Sequence, residues 1–168
     1  MSTEIYPGNP PGGRAEWIIG RATKVKYTAA SGLPDWRGNV RGELSRNSIP
    51  NVEQAETVDI GLDVTSIGEG AFADCGRLTS ATIPDGVTSI GRAAFFGCHR
   101  LVNVTIPDSV ETIGNSVFTG CGDIEQAFFA GRTLAQVKAI PDADGNWQYP
   151  WGLAEDKIVP GIAGDITL

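Results

Sequence analysis

Apolar and polar positions follow a pattern that recurs every 23 residues through the middle of the chain. The segments VTSIGEGAFADC, VTSIGRAAFFGC and VETIGNSVFTGC begin at Val64, Val87 and Val110 and place valine, isoleucine, glycine, phenylalanine and cysteine at the same positions. Each is followed by a segment of the type L-x-x-V-x-I, in which the last two apolar residues are two positions apart. Because two residues is the period of a β-strand with one buried face, the pattern predicts such a strand in every repeat.

The repeat predicts a stacked architecture. After each strand we expect a turn, for which Pro-Asp-Gly is typical, then a second short extended piece and a short helical turn with Ala71, Phe72 and Cys75 on one face. One unit cannot bury its own apolar face, so the units should stack about 4.8 Å apart as a solenoid with columns of aliphatic residues, phenylalanine and cysteine. The predicted strands span about residues 55–60, 78–83, 101–106 and 124–129.

Over roughly residues 55–130 the pattern LxxVxIPDxVTxIGxxAFxxC resembles the BspA-like leucine-rich repeat, which is typical of bacterial surface proteins. The resemblance implies an α/β fold, a short leucine-rich-repeat solenoid with 23-residue repeats, and a function in adhesion or host-protein binding. The sequence departs from the pattern at Ala55, Gly61 and Ala130–Gly131. These positions lie in the first and last units of the repeat array, where capping units are expected to differ.

The residues before the repeats predict a β-rich N-terminal cap over residues 14–54. The segments TKVKYTAA and GNVRGELS alternate apolar and polar positions, so each is predicted to be a strand, with Trp36 as an apolar plug in the connection between them. Residues 1–13 are rich in proline and glycine and are predicted to form a flexible arm.

The residues after the repeats predict a C-terminal cap of a helix and aromatic residues over residues 131–168. Thr133 is expected to cap a short helix that buries Leu134 and Val137 and ends before Pro141. An aromatic cluster is then expected to cover the end of the solenoid above Phe129, and the last residues, GDITL, are a candidate final strand. The cluster consists of Trp147, Tyr149 and Trp151. The stretch YPWGL is similar to the tails of many small repeat proteins from gut bacteria and their phages.

The charge of the chain argues against some classes of partner. The net charge is −7, and neither nucleic acid nor an anionic membrane surface attracts a protein without a basic face. No apolar run approaches the roughly eighteen residues of a membrane span. The first residues, MSTEIYPGNPPGG, lack the features of a signal peptide, so either the chain is not secreted by that route or the leader is missing from it.

Candidate catalytic and metal-binding residues are few. Cys75, Cys98 and Cys121 recur once per repeat without the short spacing of a metal site, which favours buried thiols over a disulfide or a metal. The acidic stretch DADGN, from Asp142, has glycine fourth rather than sixth, which favours a polar turn over a calcium loop. The single histidine, His99, is expected in an exposed turn. We therefore predict neither an enzyme nor a cofactor.

The outward side of the predicted strand ladder is the one extended surface that the pattern specifies. The third and fifth positions of L-x-x-V-x-I point away from the core, and they are mostly small and polar. Ordinary sheet surface explains such residues, but the same hydroxyl and amide groups are suited to bind peptide backbone or sugar hydroxyls. The candidate binding residues are Thr57, Asp59, Ser80, Thr82, Asn103, Thr105, Gln126 and Phe128.

Two hypotheses for function follow. In the first, the protein is a non-catalytic module that binds a protein or a glycan at a bacterial surface or outside the cell. In the second, it is a structural or accessory component of a phage or prophage virion, or lies in the cytoplasm, with no small-molecule ligand. Partner identity and oligomeric state are not specified by the pattern.

Overall fold

The chain winds as a solenoid in which each turn adds one strand to each of two sheets. The structure is a computed structural model that describes residues 24–29, 36–146 and 149–162. Its strands are β1 (Lys24–Ala29), β2 (Trp36–Asn39), β3 (Gly42–Leu44), β4 (Ala55–Asp59), β5 (Val64–Ile67), β6 (Ser80–Thr82), β7 (Ser89–Ile90), β8 (Asn103–Ile106), β9 (Thr112–Ile113), β10 (Gln126–Phe129) and β11 (Ile158–Pro160). The helix α1 covers Leu134–Lys138, and short 3-10 helices cover Arg46–Ser48, Val52–Gln54 and Glu155–Lys157.

The first sheet has the strand order β11-β10-β8-β6-β4-β1-β2, and the second has the order β3-β5-β7-β9. Strands of successive repeats pair in parallel without any shift, so that Val58 lies opposite Ala81, and Ala81 opposite Val104. Residues 23 positions apart therefore lie above one another. The predicted leucine-rich-repeat solenoid, with its four strands and its second extended pieces, is confirmed.

The predicted helical turn after the second strand of each repeat is wrong. Residues 69–74 form turns, with φ of +59° at both Gly70 and Asp74, a backbone conformation that interrupts a right-handed helix. The turns instead bond to the next repeat: Gly70 N–H donates to Arg92 O at 2.9 Å, and Phe72 N–H to Ala94 O at 2.8 Å. The solenoid thus has a third side that is also held by backbone hydrogen bonds.

The core consists of the predicted columns. The rings of Phe72 and Phe95 are stacked with centroids 5.1 Å apart, and those of Phe95 and Phe118 are 5.8 Å apart. The three cysteines are buried and free. The thiol of Cys98 donates to Phe72 O at 3.1 Å, and that of Cys121 to Phe95 O at the same distance. Each thiol thereby links its own repeat to the preceding one.

The N-terminal cap is a β-structure, as predicted, but its second segment is divided between the two sheets. Strand β1 pairs antiparallel with both β2 and β4 and so extends the first sheet beyond the repeats. The segment GNVRGELS does not form one strand. Gly42, with φ of +71°, redirects the chain so that β3 joins the second sheet beside β5. The predicted flexible arm lies outside the described residues, as does the side chain of Trp36.

The C-terminal cap agrees with the predicted helix and aromatic cover. Thr133 Oγ1 accepts from Gln136 N–H at 3.3 Å, and Gln136 Oε1 accepts from Thr133 N–H at 2.9 Å, which is a capping box. Within α1, Val137 is buried, whereas Leu134 is only half-buried. The Trp151 ring stacks on Phe129 at 5.4 Å.

Two further predictions for this end have a different outcome. Trp147 and the candidate strand GDITL lie outside the described residues. The final strand of the first sheet in the described part is β11, which pairs in parallel with β10 and was not predicted. The predicted cap boundaries, residues 14–54 and 131–168, stay predictions. None of the helices in the described ranges has the length and apolar character that a membrane span requires.

Candidate interaction surfaces on the two sheets

The eight predicted binding residues form two straight rows across the outside of the first sheet, which we call the ladder face. They are all exposed except Thr57, which is half-buried. The strand register places Thr57, Ser80, Asn103 and Gln126 in one row and Asp59, Thr82, Thr105 and Phe128 in the other. The structure thus brings together every residue of the predicted set.

The alternation along each strand is what holds these side chains outward. In β8, Asn103 and Thr105 are exposed while Val104 and Ile106 are 2% and 1% exposed. Since the inward residues are packed in the core and the backbone is paired on both edges, the outward side chains have a fixed spacing. The ladder face is therefore preorganised before any partner arrives.

The chemistry of the ladder face is that of hydroxyls and amides. No hydrogen bond within the described part of the chain engages the side-chain amides of Asn103 and Gln126. Phe128, 37% exposed, lies at the C-terminal end of its row, opposite Val159 of β11. Apart from the carboxylate of Asp59, the arrangement offers neutral donors and acceptors beside one aromatic ring.

A second surface, which the sequence analysis missed, crosses the outside of the second sheet. It is a groove of about 270 Å³. The strand register places Glu43, Ser66, Ser89 and Thr112 in one row along it. We call this surface the second-sheet groove.

Two glycines that line the second-sheet groove mark close contacts between successive repeats. A Cβ atom at Gly91 would lie 2.7 Å from Glu69 N, and one at Gly114 would lie 2.5 Å from Arg92 N, so successive repeats approach too closely here for any side chain. The sequence signal was the recurrence of Ser or Thr two positions before this glycine, in TSIG and ETIG. That signal shows small residues on one face but not that they line a groove.

One end of the groove is formed by the acidic turn from Asp142 to Asn146. This stretch is the predicted polar turn: Asp142 Oδ1 accepts from the backbone N–H of Asp144 at 3.0 Å and of Asn146 at 2.8 Å. In the ranges that the structure describes, no three His, Cys, Asp or Glu side chains are grouped to hold a metal ion. The carboxylate of Asp142 therefore serves to shape the turn.

The remaining candidate groups are placed as predicted. His99 is exposed, and its ring Nδ1 lies 2.9 Å from Gly120 O. Burial raises the pKa of the Cys75 thiol to about 12. Burial likewise raises the pKa of the Cys98 thiol. Both thiols are thus protonated at neutral pH, and a protonated thiol is a poor nucleophile.

The comparisons with known proteins point to one family. A family model, described as BspA type leucine rich repeat region, matches residues 43–139 in six copies. The match begins within β3, whereas the first strand predicted from the repeat pattern begins at Ala55. No curated protein matches the chain.

Three solved structures are similar in sequence at a low level. A leucine-rich repeat protein from Eubacterium ventriosum is 20% identical over 56% of this chain and 39% of its own, with a TM-score of 0.31. A leucine rich cell surface protein from Faecalibacterium prausnitzii is 21% identical over 70% and 40%, with a TM-score of 0.38. A leucine-rich repeat protein from Bacteroides ovatus is 20% identical over 68% and 47%, with a TM-score of 0.30.

The chain thus spans less than half the length of these three structures. The family model, in contrast, covers more than half of this chain and agrees with the repeats seen in the fold. The protein belongs to the BspA-type leucine-rich repeat family.

Proposed function

We propose that the protein is a non-catalytic interaction module that binds a protein or a glycan through the ladder face, at a bacterial surface. The observation that carries the proposal is the pair of outward rows that end at the exposed ring of Phe128. A leucine-rich repeat fold is suited to such a role because its stacked strands form an extended and rigid surface.

The chemistry of the ladder face supports this choice of partner. Hydroxyl and amide side chains such as Thr82, Thr105 and Asn103 pair with the hydroxyl groups of a sugar or with an exposed peptide backbone. Phe128 is placed to stack on the apolar face of a sugar ring or on an apolar side chain. Since the rows are held by the sheet, binding costs little conformational entropy on this side of the interface.

Absence of catalysis is part of the proposal. The thiols of Cys75 and Cys98 are protonated at neutral pH because their pKa values are raised, and the His99 ring lies next to a backbone carbonyl rather than a carboxylate. A nucleophile needs a neighbouring base to react, and these groups have no such arrangement among the described residues.

Replacing Phe128 with alanine tests the proposal. On an array of host glycans and extracellular proteins, we expect the wild-type chain to bind a small set of spots and Phe128→Ala to weaken that binding at least about fivefold, as for an interface residue worth more than about 1 kcal/mol. Phe96→Ala is the matched control, because Phe96 is 40% exposed but lies on the third side of the solenoid, away from both sheets. Equal binding by the wild type and Phe128→Ala would contradict the proposal.

The surface location rests on the family resemblance and has its own test. Antibodies against the protein should label intact cells that express the gene. Labelling only after lysis, or recovery of the protein with purified phage particles, would instead support the alternative of a virion component. No small-molecule ligand is expected of such a component.

A further inference from the structure

We propose that the second-sheet groove binds an extended peptide segment that carries two basic side chains four residues apart. The proposal goes beyond the ladder face, because it uses the other sheet and different residues. Three properties of the groove support it: its length, its charge and its row of hydroxyl groups.

The length of the groove fits a short extended peptide. The row Glu43, Ser66, Ser89 and Thr112 crosses four neighbouring strands, and the next turn of the chain, joined by the hydrogen bond from Ile113 N–H to Pro141 O, carries the acidic turn. With strands about 4.8 Å apart, the backbones at the two ends of the groove are separated by about 19 Å. Residues i and i+4 of an extended chain point to the same side and are about 13 Å apart, and flexible lysine stems span the rest.

The charge of the groove selects a cationic occupant. Carboxylates come from Glu43 at one end, from Glu69 in the middle, and from Asp142 and Asp144 at the other end. Among the described residues that line the groove, Arg92 is the one positively charged residue. Two basic side chains at the ends of a segment are therefore complementary to the groove, and the chain's net charge of −7 adds a long-range attraction.

A row of hydroxyl groups on the groove favours a peptide as the occupant. The hydroxyls of Ser66, Ser89 and Thr112 are spaced one strand apart along the same line. They are placed to pair with the N–H and C=O groups of an extended chain.

Two labelled peptides of equal composition test the proposal with the full-length chain. One is Lys-Gly-Ser-Gly-Lys, with the lysines four apart, and the other is Gly-Lys-Lys-Ser-Gly. By fluorescence anisotropy at low salt we expect the first peptide to bind at least about threefold more tightly than the second. This difference corresponds to the free energy of one additional exposed ion pair. Its affinity should fall as salt is added, because exposed charges are screened. Equal affinity of the two peptides, or no binding of either, would overturn the proposal.

Charge-neutral variants locate the binding. Glu43→Gln and Asp144→Asn should each weaken the spaced peptide about threefold, since each removes one exposed ion pair. Glu125→Gln is the matched control, because Glu125 is exposed beside the ladder face and its loss changes the net charge equally. Similar weakening by Glu125→Gln would mean general attraction by an acidic protein and not a site.

Phe128→Ala should leave peptide binding unchanged, so failure of the ladder-face proposal and failure of this one are separate results.

Discussion

At the residue scale, the stacked phenylalanines are the clearest link between sequence and stability. Phe95 is fully buried with one ring above and one below, whereas the next residue, Phe96, is 40% exposed. The two residues are both phenylalanines and are adjacent in the sequence. Their different environments come only from the direction in which the turn points each side chain.

Phe95→Ala should destabilise the protein by about 3–5 kcal/mol, because it removes apolar burial and leaves a cavity in the middle of the column. Phe96→Ala should change the free energy of unfolding by less than about 0.5 kcal/mol, as surface substitutions usually do. Urea denaturation of the two variants measures both values. Equal effects would contradict the stacked core.

At the element scale, the turn that follows the second strand of each repeat is shaped by its close contact with the next repeat. The sequence predicted a helical turn here from apolar spacing alone. Positive φ values at Ala93 and Ser116, which are not glycines, gave no sequence signal. The turn forms because its N–H groups bond to the next repeat, a partner that lies more than 20 residues away in the chain.

Gly91→Ala tests that contact. Its Cβ atom would lie 2.7 Å from two backbone atoms, Glu69 N and Gly68 C, which cannot move without separating the repeats, so we expect a loss of about 1–3 kcal/mol in the free energy of unfolding. Gly122→Ala is the matched control, because no heavy atom lies within 4 Å of its Cβ position. It should be neutral or stabilise by up to about 1 kcal/mol through the unfolded state. A larger loss for Gly122→Ala than for Gly91→Ala would refute the close approach.

At the scale of the whole molecule, the buried thiol of Cys75 couples stability to pH. The pKa of Cys75 is raised from 9.0 to about 12, so between these values the unfolded chain loses the proton while the folded chain keeps it. Fewer protons are then bound in the unfolded state, and the free energy of unfolding falls as the pH rises.

We expect this fall to be about 1 kcal/mol per pH unit for Cys75 above pH 9, with the contribution fully present below pH 9. Urea denaturation at a series of pH values measures the slope for the wild type and for Cys75→Ala, which removes this thiol and leaves other titrating groups in place. A slope that is unchanged in Cys75→Ala would show that the thiol is not protected in the folded state.

The whole molecule also presents two different surfaces from one repeat. The ladder face is neutral in its middle and ends in an aromatic ring, whereas the second-sheet groove is acidic and carries a row of hydroxyl groups. Both run along the solenoid axis, so a change in the number of repeats would lengthen both together. The two proposals therefore concern two sides of one rigid scaffold.

Features that depend on short periods in the chain can be predicted from the amino-acid sequence alone. The 23-residue repeat, the first-sheet strands, the columns of Phe72 and Cys98 and the outward direction of Asn103 all follow from the strand period and from the need to bury each unit against its neighbours. The cap of α1 by Thr133 was also predictable, because the capping residues are adjacent in sequence.

Features that depend on which segments meet are established only in the folded chain. Strand β11 has three residues and no alternation to mark it, and it forms because β10 offers a free edge where the chain returns. Strand β3 joins the second sheet only because Gly42 turns the chain towards β5. The second-sheet groove likewise needs the Asp142 turn to close one end. Such pairings bring together residues distant in sequence, and no local pattern of apolar and polar residues encodes that choice.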